Sequence, residues 1–219
     1  NTKEKFTLEE LEWFIGYNKV KDTELKLLSY QRPIIGRVKE KYKSKQFTSV
    51  VMPTGTGKTY ISLAMMDDFE KLKKSLDKDS HAKILYLAPN NEILDQLKET
   101  IRKVYHPEEH IGEDIDAVVR KVFPNLVATT YQNLKDYSSI ETGPDGKKEL
   151  KLKDKFNQQF DFIVLDELHR TGANEWYSVV GALLDSQSEE TKILGASATP
   201  ERDVDFKDMT DFCARKYNY

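Results

Sequence analysis

The sequence predicts an α/β fold, in which a mainly parallel β-sheet is covered by helices on both faces. Five short segments consist almost entirely of apolar residues, as expected for strands that are buried on both sides. Apolar residues at helical spacing separate these segments, and such alternation of strands and helices is typical of a parallel sheet. The predicted strands are residues 47–52, 83–88, 125–129, 161–165 and 192–196.

Each predicted helix carries an apolar stripe that recurs every three or four residues. The three stripes are Ile61, Met65, Phe69 and Leu72; Leu94, Leu97, Ile101 and Val104; and Trp176, Val179, Val180, Leu183 and Leu184. Near the beginning, Thr7 and Glu10 match a capping box for a first helix, and Pro33 suits the first turn of a second. We therefore expect a helical extension over residues 1–27, followed by an α/β domain over residues 28–219.

Residues 137–160 interrupt this alternation. They contain a strong turn signal, Gly143-Pro144-Asp145-Gly146, followed by Lys147, Lys148, Lys151, Lys153 and Lys155. We interpret the segment as a surface insertion, with a hairpin as its expected form. The lysines favour a solvated charged loop over a clamp for nucleic acid.

Charge and cysteine content limit the possible partners and compartment. The net charge of -3 is no overall signal for nucleic acid, although basic residues can still cluster on one face. The single cysteine, Cys213, excludes an intramolecular disulfide and fits a reducing cytoplasm. No apolar run approaches the roughly 20 residues that a membrane span needs. We expect a cytoplasmic protein with no membrane partner.

A phosphate-binding loop is predicted between the first strand and the first apolar stripe. The run is Met52-Pro53-Thr54-Gly55-Thr56-Gly57-Lys58-Thr59. Glycines let the backbone curl so that its N–H groups point at phosphates, and the following helix adds the positive end of its dipole. Lys58 would reach the β- and γ-phosphates of ATP, and the Thr59 hydroxyl would bind Mg²⁺. The strict pattern has glycine in place of Met52, but Gly-Lys-Thr in this context favours nucleotide binding over an ordinary turn.

Two adjacent carboxylates, Asp166 and Glu167, follow the fourth predicted strand. The carboxyl end of a parallel strand is where open α/β sheets bind ligands. Asp166 is placed to hold Mg²⁺, and Glu167 could orient and deprotonate an attacking water. An acidic pair alone is often a solvated strand end, but a phosphate loop upstream favours catalysis.

Taken together, these motifs resemble the N-terminal RecA-like motor domain of superfamily-two helicases over about residues 28–201. The matching segments are residues 53–59 (motif I), Leu87-Ala88-Pro89-Asn90 with Leu94 and Gln96 (motif Ia), residues 128–132 (motif Ib), Asp166-Glu167-Leu168-His169 (motif II) and Ser197-Ala198-Thr199 (motif III). His169 stands where DEAD-box proteins have Asp, which indicates the DExH branch. The residues of these motifs are similar to those of the restriction-enzyme-like group, which acts mostly on duplex DNA.

The resemblance implies roles for further residues. Gln31 would recognise adenine, although a polar residue that opens the helix at Pro33 is the competing interpretation. His169, Ser197 and Thr199 would couple the nucleotide site to movement. Sequence-independent contacts to nucleic acid would come from Pro89, Asn90, Asn91, Thr130 and Tyr131. The fifth strand is expected between the phosphate-loop strand and the strand before Asp166.

The same resemblance implies ATP, Mg²⁺ and nucleic acid as ligands, with DNA favoured over RNA. It also implies a second RecA-like domain, whose motifs and catalytic arginines are absent from this chain, so we expect an excised domain. One alternative is the motor subunit of a restriction endonuclease, which would translocate duplex DNA. Another is a catalytically idle nucleic-acid-binding module, which intact Lys58, Thr59, Asp166 and Glu167 disfavour. A small-molecule kinase would lack motifs Ia, Ib and III.

Overall fold

A computed structural model describes residues 27–105, 114–142, 148–167 and 174–198. In chain order its elements are α1 (Gln31–Tyr42), β1 (Phe47–Val51), α2 (Lys58–Leu76), β2 (Ile84–Ala88), α3 (Asn91–Tyr105), α4 (Ile115–Val122), β3 (Leu126–Thr130), α5 (Tyr131–Asp136), β4 (Ser138–Thr142), β5 (Lys148–Leu152), a 3₁₀ turn (Asp154–Phe156), β6 (Phe162–Leu165), α6 (Asn174–Ser186) and β7 (Lys192–Ser197). All five predicted strands are present, with ends that differ by a residue.

Five strands form one parallel sheet in the order β1-β7-β6-β2-β3. The last of the described strands, β7, pairs with β1 on one side and with β6 on the other. This order confirms the prediction that the fifth strand separates the phosphate-loop strand from the strand before Asp166. It also places the loops that follow β1, β6 and β7 side by side at one edge of the sheet.

Helices cover both faces of the sheet, as predicted, because successive strand residues point to opposite sides. In β2, Tyr86 belongs to the core shared with α1, α2 and α3, whereas Leu85 and Leu87 belong to the core shared with α5 and α6. The stripe on α2 is fully used, since Ile61 and Met65 are at most 1% exposed. The other two predicted stripes likewise face the sheet.

The insertion is an antiparallel hairpin of β4 and β5, which is the form expected from its turn signal. Leu150 and Leu152 pack against the core under α6, while Ile140 on the other strand is 69% exposed. Lys151 pairs with Glu141 at 3.3 Å. The contacts of the hairpin are therefore those of a charged surface element packed on the domain by one face.

Several predicted features lie outside the described residues. They are the helix near Thr7 in the expected extension, the hairpin turn, His169, Thr199 and Cys213. In the part of the chain that is described, no helix is long and apolar enough to cross a membrane.

Candidate nucleotide-binding site

The phosphate loop, residues 52–57, joins β1 to α2 and takes its shape from two glycines. Gly55 and Gly57 both have φ of 80°, in the left-handed region where a side chain is strained. At Gly57 an added Cβ would lie 2.4 Å from Gln31 Nε2, so the backbone also approaches a neighbour closely. Because α2 begins at Lys58, the N-terminus of this helix, the end that favours phosphate, directly follows the loop.

Lys58 connects this loop to the acidic pair. Its ammonium donates to the carbonyl of Met52 at 3.3 Å and lies 3.6 Å from Glu167 Oε1. The Lys58 and Glu167 side chains are only 9% and 15% exposed, so solvent screens the pair weakly. Glu167 has φ of 49°, a conformation that residues other than glycine seldom adopt and that is common at functional sites.

Asp166 is 4% exposed and is held by three groups. The Tyr86 hydroxyl donates to Oδ2 at 2.5 Å, and the backbone N–H of Glu167 donates to Oδ1 at 2.9 Å. The Tyr131 hydroxyl donates to the Asp166 carbonyl at 2.9 Å. Burial raises the pKa of Asp166 above its ordinary value, while the hydrogen bond from Tyr86 opposes this rise. Burial also raises the pKa of Tyr86, so its phenol stays a donor.

Neither tyrosine was singled out by the sequence for this contact. Tyr86 lies in the apolar run of β2. A buried phenol normally finds a hydrogen-bond partner, so its hydroxyl was the sequence signal that could have predicted such a contact. Tyr131 was predicted to contact nucleic acid, and that role stays a prediction; in this structure its side chain is packed inside the domain. The ring is 1% exposed and stacks on Trp176 with centroids 5.4 Å apart.

Gln31 lies against the phosphate loop with its amide in contact with protein on every side. Its Nε2 donates to the carbonyls of Thr56 at 3.4 Å and Gly57 at 3.3 Å, and its Oε1 accepts from the N–H of Leu28 at 2.8 Å. The hydroxyl of Tyr30 also donates to the Thr56 carbonyl, at 2.9 Å. Residues at the start of α1 therefore stabilise the phosphate loop through hydrogen bonds to its carbonyl groups.

The third strand of this edge contributes Ser197, which is fully buried at the end of β7. The Ser197 carbonyl accepts a hydrogen bond from the N–H of Met52 at 3.0 Å. The beginning of the phosphate loop is thus tied to the segment that resembles motif III. His169 and Thr199, the other two predicted coupling residues, are not among the described residues.

A cavity of about 380 Å³ lies beside the phosphate loop. Lys58, Thr59, Asp166 and Glu167 line one side of it, and Gln96 and Lys103 of α3 line the other. A larger cavity of about 1030 Å³ lies at the opposite end of the sheet, among the residues that precede β2, β3, β6 and β7. The smaller cavity is the candidate site, because only there do the phosphate loop, a helix N-terminus, a cation and two carboxylates converge.

The oxygen ligands in this cavity fit Mg²⁺ bound together with a nucleotide. Mg²⁺ favours a hydroxyl or one or two carboxylates plus waters and phosphate oxygens over a cage made by protein alone. Thr59 and Asp166 line the same cavity and supply a hydroxyl and a carboxylate. Among the described residues, no group of three or more His, Cys, Asp or Glu side chains could hold a metal unaided.

The predicted nucleic-acid contacts lie at the same edge, after the paired strands β2 and β3. Pro89 and Asn90 are half-buried, and Asn91 is exposed at the start of α3. The side chains of Asn90 and Thr130 accept hydrogen bonds from the N–H groups of Ile93 and Asn133, each at 3.1 Å. These two side chains therefore cap helices α3 and α5, and their role toward nucleic acid stays a prediction.

A five-stranded parallel sheet in the order β1-β7-β6-β2-β3, with a phosphate loop after β1 and an acidic pair after β6, is the RecA-like motor domain of superfamily-two helicases. The model of the family described as type III restriction enzyme, res subunit, matches residues 24–202. The chain belongs to this family.

Proteins with related sequences and structures agree with this assignment. The chain is 33% identical over 153 residues to a type I restriction enzyme EcoAI endonuclease subunit from Escherichia coli, covering 69% of the chain and 16% of that protein. It is 25% identical over 213 residues to the DEAD-box ATP-dependent DNA helicase Fancm from Drosophila melanogaster, covering 92% of the chain and 13% of that protein. The chain thus spans less than a fifth of either relative. The Sulfolobus solfataricus SWI2/SNF2 ATPase core in complex with dsDNA has the same fold, with a TM-score of 0.57 at 17% identity over 88% of this chain and 37% of that one.

Proposed function

We propose that this chain is the ATP-binding half of a motor that hydrolyses ATP to move along nucleic acid. The observation that carries the proposal is the 3.6 Å approach of the Lys58 ammonium to Glu167, with Asp166 in the same cavity. A phosphate-binding cation, a metal ligand and a candidate base thereby share one small space.

Each group in the cavity has a distinct task in this proposal. Lys58 turns from Glu167 and the Met52 carbonyl toward the β- and γ-phosphates of ATP, whose negative charge is greater. Thr59 and Asp166 hold Mg²⁺, which would neutralise charge on the phosphate oxygens. Glu167, released from Lys58, orients the attacking water and accepts its proton. Ser197 would report the state of the nucleotide through the backbone bond that joins β7 to Met52.

Hydrolysis would also need a second RecA-like domain that closes over the nucleotide. Arginines that act on a transferring phosphoryl group are worth on the order of 10³–10⁵ in rate. We expect residues 1–219 alone to fold, to bind nucleotide weakly and to hydrolyse it very slowly. The short spans shared with both curated relatives support the idea that the working protein is longer.

We propose DNA as the track, in preference to RNA, with contacts to the phosphate backbone that ignore base sequence. The two relatives support this choice, since one is a DNA helicase and one a restriction endonuclease subunit. The contacts would come from Pro89, Asn90, Asn91 and the backbone near Thr130. A cytoplasmic location, expected from the single cysteine, remains part of the proposal.

A second candidate function is the motor subunit of a restriction endonuclease, which pumps duplex DNA without separating its strands. The family match over residues 24–202 specifically favours it. The two candidates differ in one measurable product. A restriction motor displaces a third strand from a triplex and leaves a forked duplex intact, whereas a helicase releases a single strand from the fork.

The experiment that tests the leading proposal is phosphate release by the chain joined to its second motor domain, with and without duplex DNA, single-stranded DNA or RNA. We expect stimulation by DNA and loss of turnover in Lys58→Ala. A protein that binds DNA but releases phosphate no faster than its Lys58→Ala variant would be the idle module instead. Robust, DNA-stimulated turnover by residues 1–219 alone would contradict the proposal that hydrolysis needs a second RecA-like domain.

A further inference from the structure

The carboxylate of Asp166 is oriented by a phenol buried beneath it. Tyr86 is fully buried in the middle of β2, and its hydroxyl donates to Asp166 Oδ2. The N–H of Glu167 donates to the other oxygen, Oδ1. Each carboxylate oxygen thus accepts one hydrogen bond from the protein and keeps one further lone pair for another ligand.

Both ends of this contact are fixed by the sheet. Tyr86 is opposite Val164 in the pairing of β2 with β6. The N–H of Asp166 continues that ladder by donating to the Leu87 carbonyl at 2.8 Å. With the backbone held, the two hydrogen bonds to the carboxylate leave it little freedom to rotate.

A second buried tyrosine shows that the Tyr86 contact is more than a by-product of packing. Tyr42 lies in the same apolar core and is 1% exposed, yet among the described residues its hydroxyl has no hydrogen-bond partner. The fold therefore tolerates a phenol at the core without a partner. At Tyr86 the same group instead donates a hydrogen bond to Asp166, which lines the candidate site.

We propose that Tyr86 is a positioning residue for Mg²⁺, holding the Asp166 carboxylate in the orientation that binds the metal of Mg²⁺–ATP. This inference rests on the proposed function, because it takes Asp166 as a metal ligand. Outer partners that orient a metal ligand commonly change metal affinity by 10- to 100-fold when they are removed. Tyr86 acts through Asp166 and has no contact with nucleotide in this proposal.

The test measures how strongly Mg²⁺ tightens the binding of a non-hydrolysable ATP analogue to the 219-residue chain. Calorimetric titrations in Mg²⁺ and in EDTA give two dissociation constants, and their ratio is the gain from the metal. For Tyr86→Phe we expect this gain to fall by about tenfold, with the constant in EDTA unchanged. Tyr42→Phe, the matched removal of a buried hydroxyl, should leave both constants at wild-type values.

A direct metal readout accompanies the titration. With Mn²⁺ in place of Mg²⁺, electron paramagnetic resonance counts free metal, and the Mn²⁺ affinity of the nucleotide complex should fall in Tyr86→Phe alone. Thermal unfolding of each variant checks that the fold is intact at the assay temperature.

Three results would overturn the inference. An unchanged gain in Tyr86→Phe means that Asp166 needs no phenol to bind the metal. An equal loss in Mg²⁺ and in EDTA means that the hydroxyl only supports the fold of the site. A wild-type chain that binds the analogue equally well with and without Mg²⁺ removes the proposed function itself, and the role of Tyr86 with it.

Discussion

The ammonium of Lys58 lies 3.6 Å from Glu167 Oε1, at the meeting point of two loops that follow different strands. The sheet brings them together, because β1 and β6 run parallel with only β7 between them. In this arrangement each charge offsets the other between two side chains that are largely buried. A triphosphate would compete for Lys58 and so free Glu167 for the water that attacks it, which links nucleotide binding to the activation of the base.

Lys58 and Glu167 should therefore fail in different ways when they are changed. Lys58→Ala removes the cation that faces the β- and γ-phosphates, so we expect nucleotide affinity to fall by at least tenfold and turnover to be lost. Glu167→Gln keeps the size and polarity of the side chain but cannot accept a proton, so binding should persist while hydrolysis fails. Calorimetry with a non-hydrolysable analogue, together with phosphate release, separates the two. Loss of binding in Glu167→Gln would make Glu167 a structural residue.

The two glycines of the phosphate loop offer a matched pair of substitutions. Gly55 and Gly57 share φ of 80°, so alanine at either position should destabilise the fold by about 1–2 kcal/mol. Only at Gly57 would the new Cβ meet Gln31 Nε2, whereas at Gly55 nothing lies within 4 Å. Gly57→Ala should lose roughly 1 kcal/mol more, because the Gln31 amide must leave its carbonyl partners. Denaturant unfolding of both variants measures the difference, and equal losses would mean that the Gln31 contact contributes nothing.

Gln31 can be tested as a loop contact against adenine recognition. Its amide already bonds Leu28, Thr56 and Gly57, so we expect Gln31→Ala to loosen the loop and weaken ATP and GTP binding by a similar factor. Competition titrations against a fluorescent nucleotide give both affinities. A loss confined to ATP would instead support recognition of adenine, as the family resemblance implies.

Ser197 and Thr199 should affect coupling more than binding. Ser197 ends β7, which lies between β1 and β6, and its carbonyl, which survives substitution, accepts a hydrogen bond from Met52. Ser197→Ala with Thr199→Ala should leave nucleotide affinity within about twofold, because the backbone hydrogen bond to Met52 does not need the side chain. Movement per ATP should fall. The measurement is the ratio of strand displacement to phosphate release in the chain joined to its second domain. A parallel fall in both rates, with a lower unfolding temperature, would point to damaged folding.

Much of the fold was predictable because its signals are local. Each buried strand is a short apolar run, and the turn at Gly143–Gly146 marked the hairpin of β4 and β5. The position of β7 between β1 and β6 came from the motifs and their family, since periodicity does not determine the order of parallel strands. The one-residue differences at strand ends reflect hydrogen bonding to neighbouring strands, which a single segment does not encode.

The contacts around Asp166 were not predictable in the same way. The bond from Tyr86 depends on how β2 pairs with β6, a register between segments far apart in the sequence. The Gln31 contacts depend on the left-handed turn at Gly57, which brings the loop carbonyls against α1. In each case the missing information was long-range geometry.

Anomalous diffraction is the most direct measurement of whether Thr59 and Asp166 bind the metal of a nucleotide held by the phosphate loop. Crystals of the chain grown with Mn²⁺ and a non-hydrolysable ATP analogue should show one strong anomalous peak. We predict it beside the phosphate loop, next to both the Thr59 hydroxyl and the Asp166 carboxylate, with Lys58 turned toward the phosphates. A peak and nucleotide in the 1030 Å³ cavity at the opposite end of the sheet, with Lys58 still against Glu167, would contradict the account.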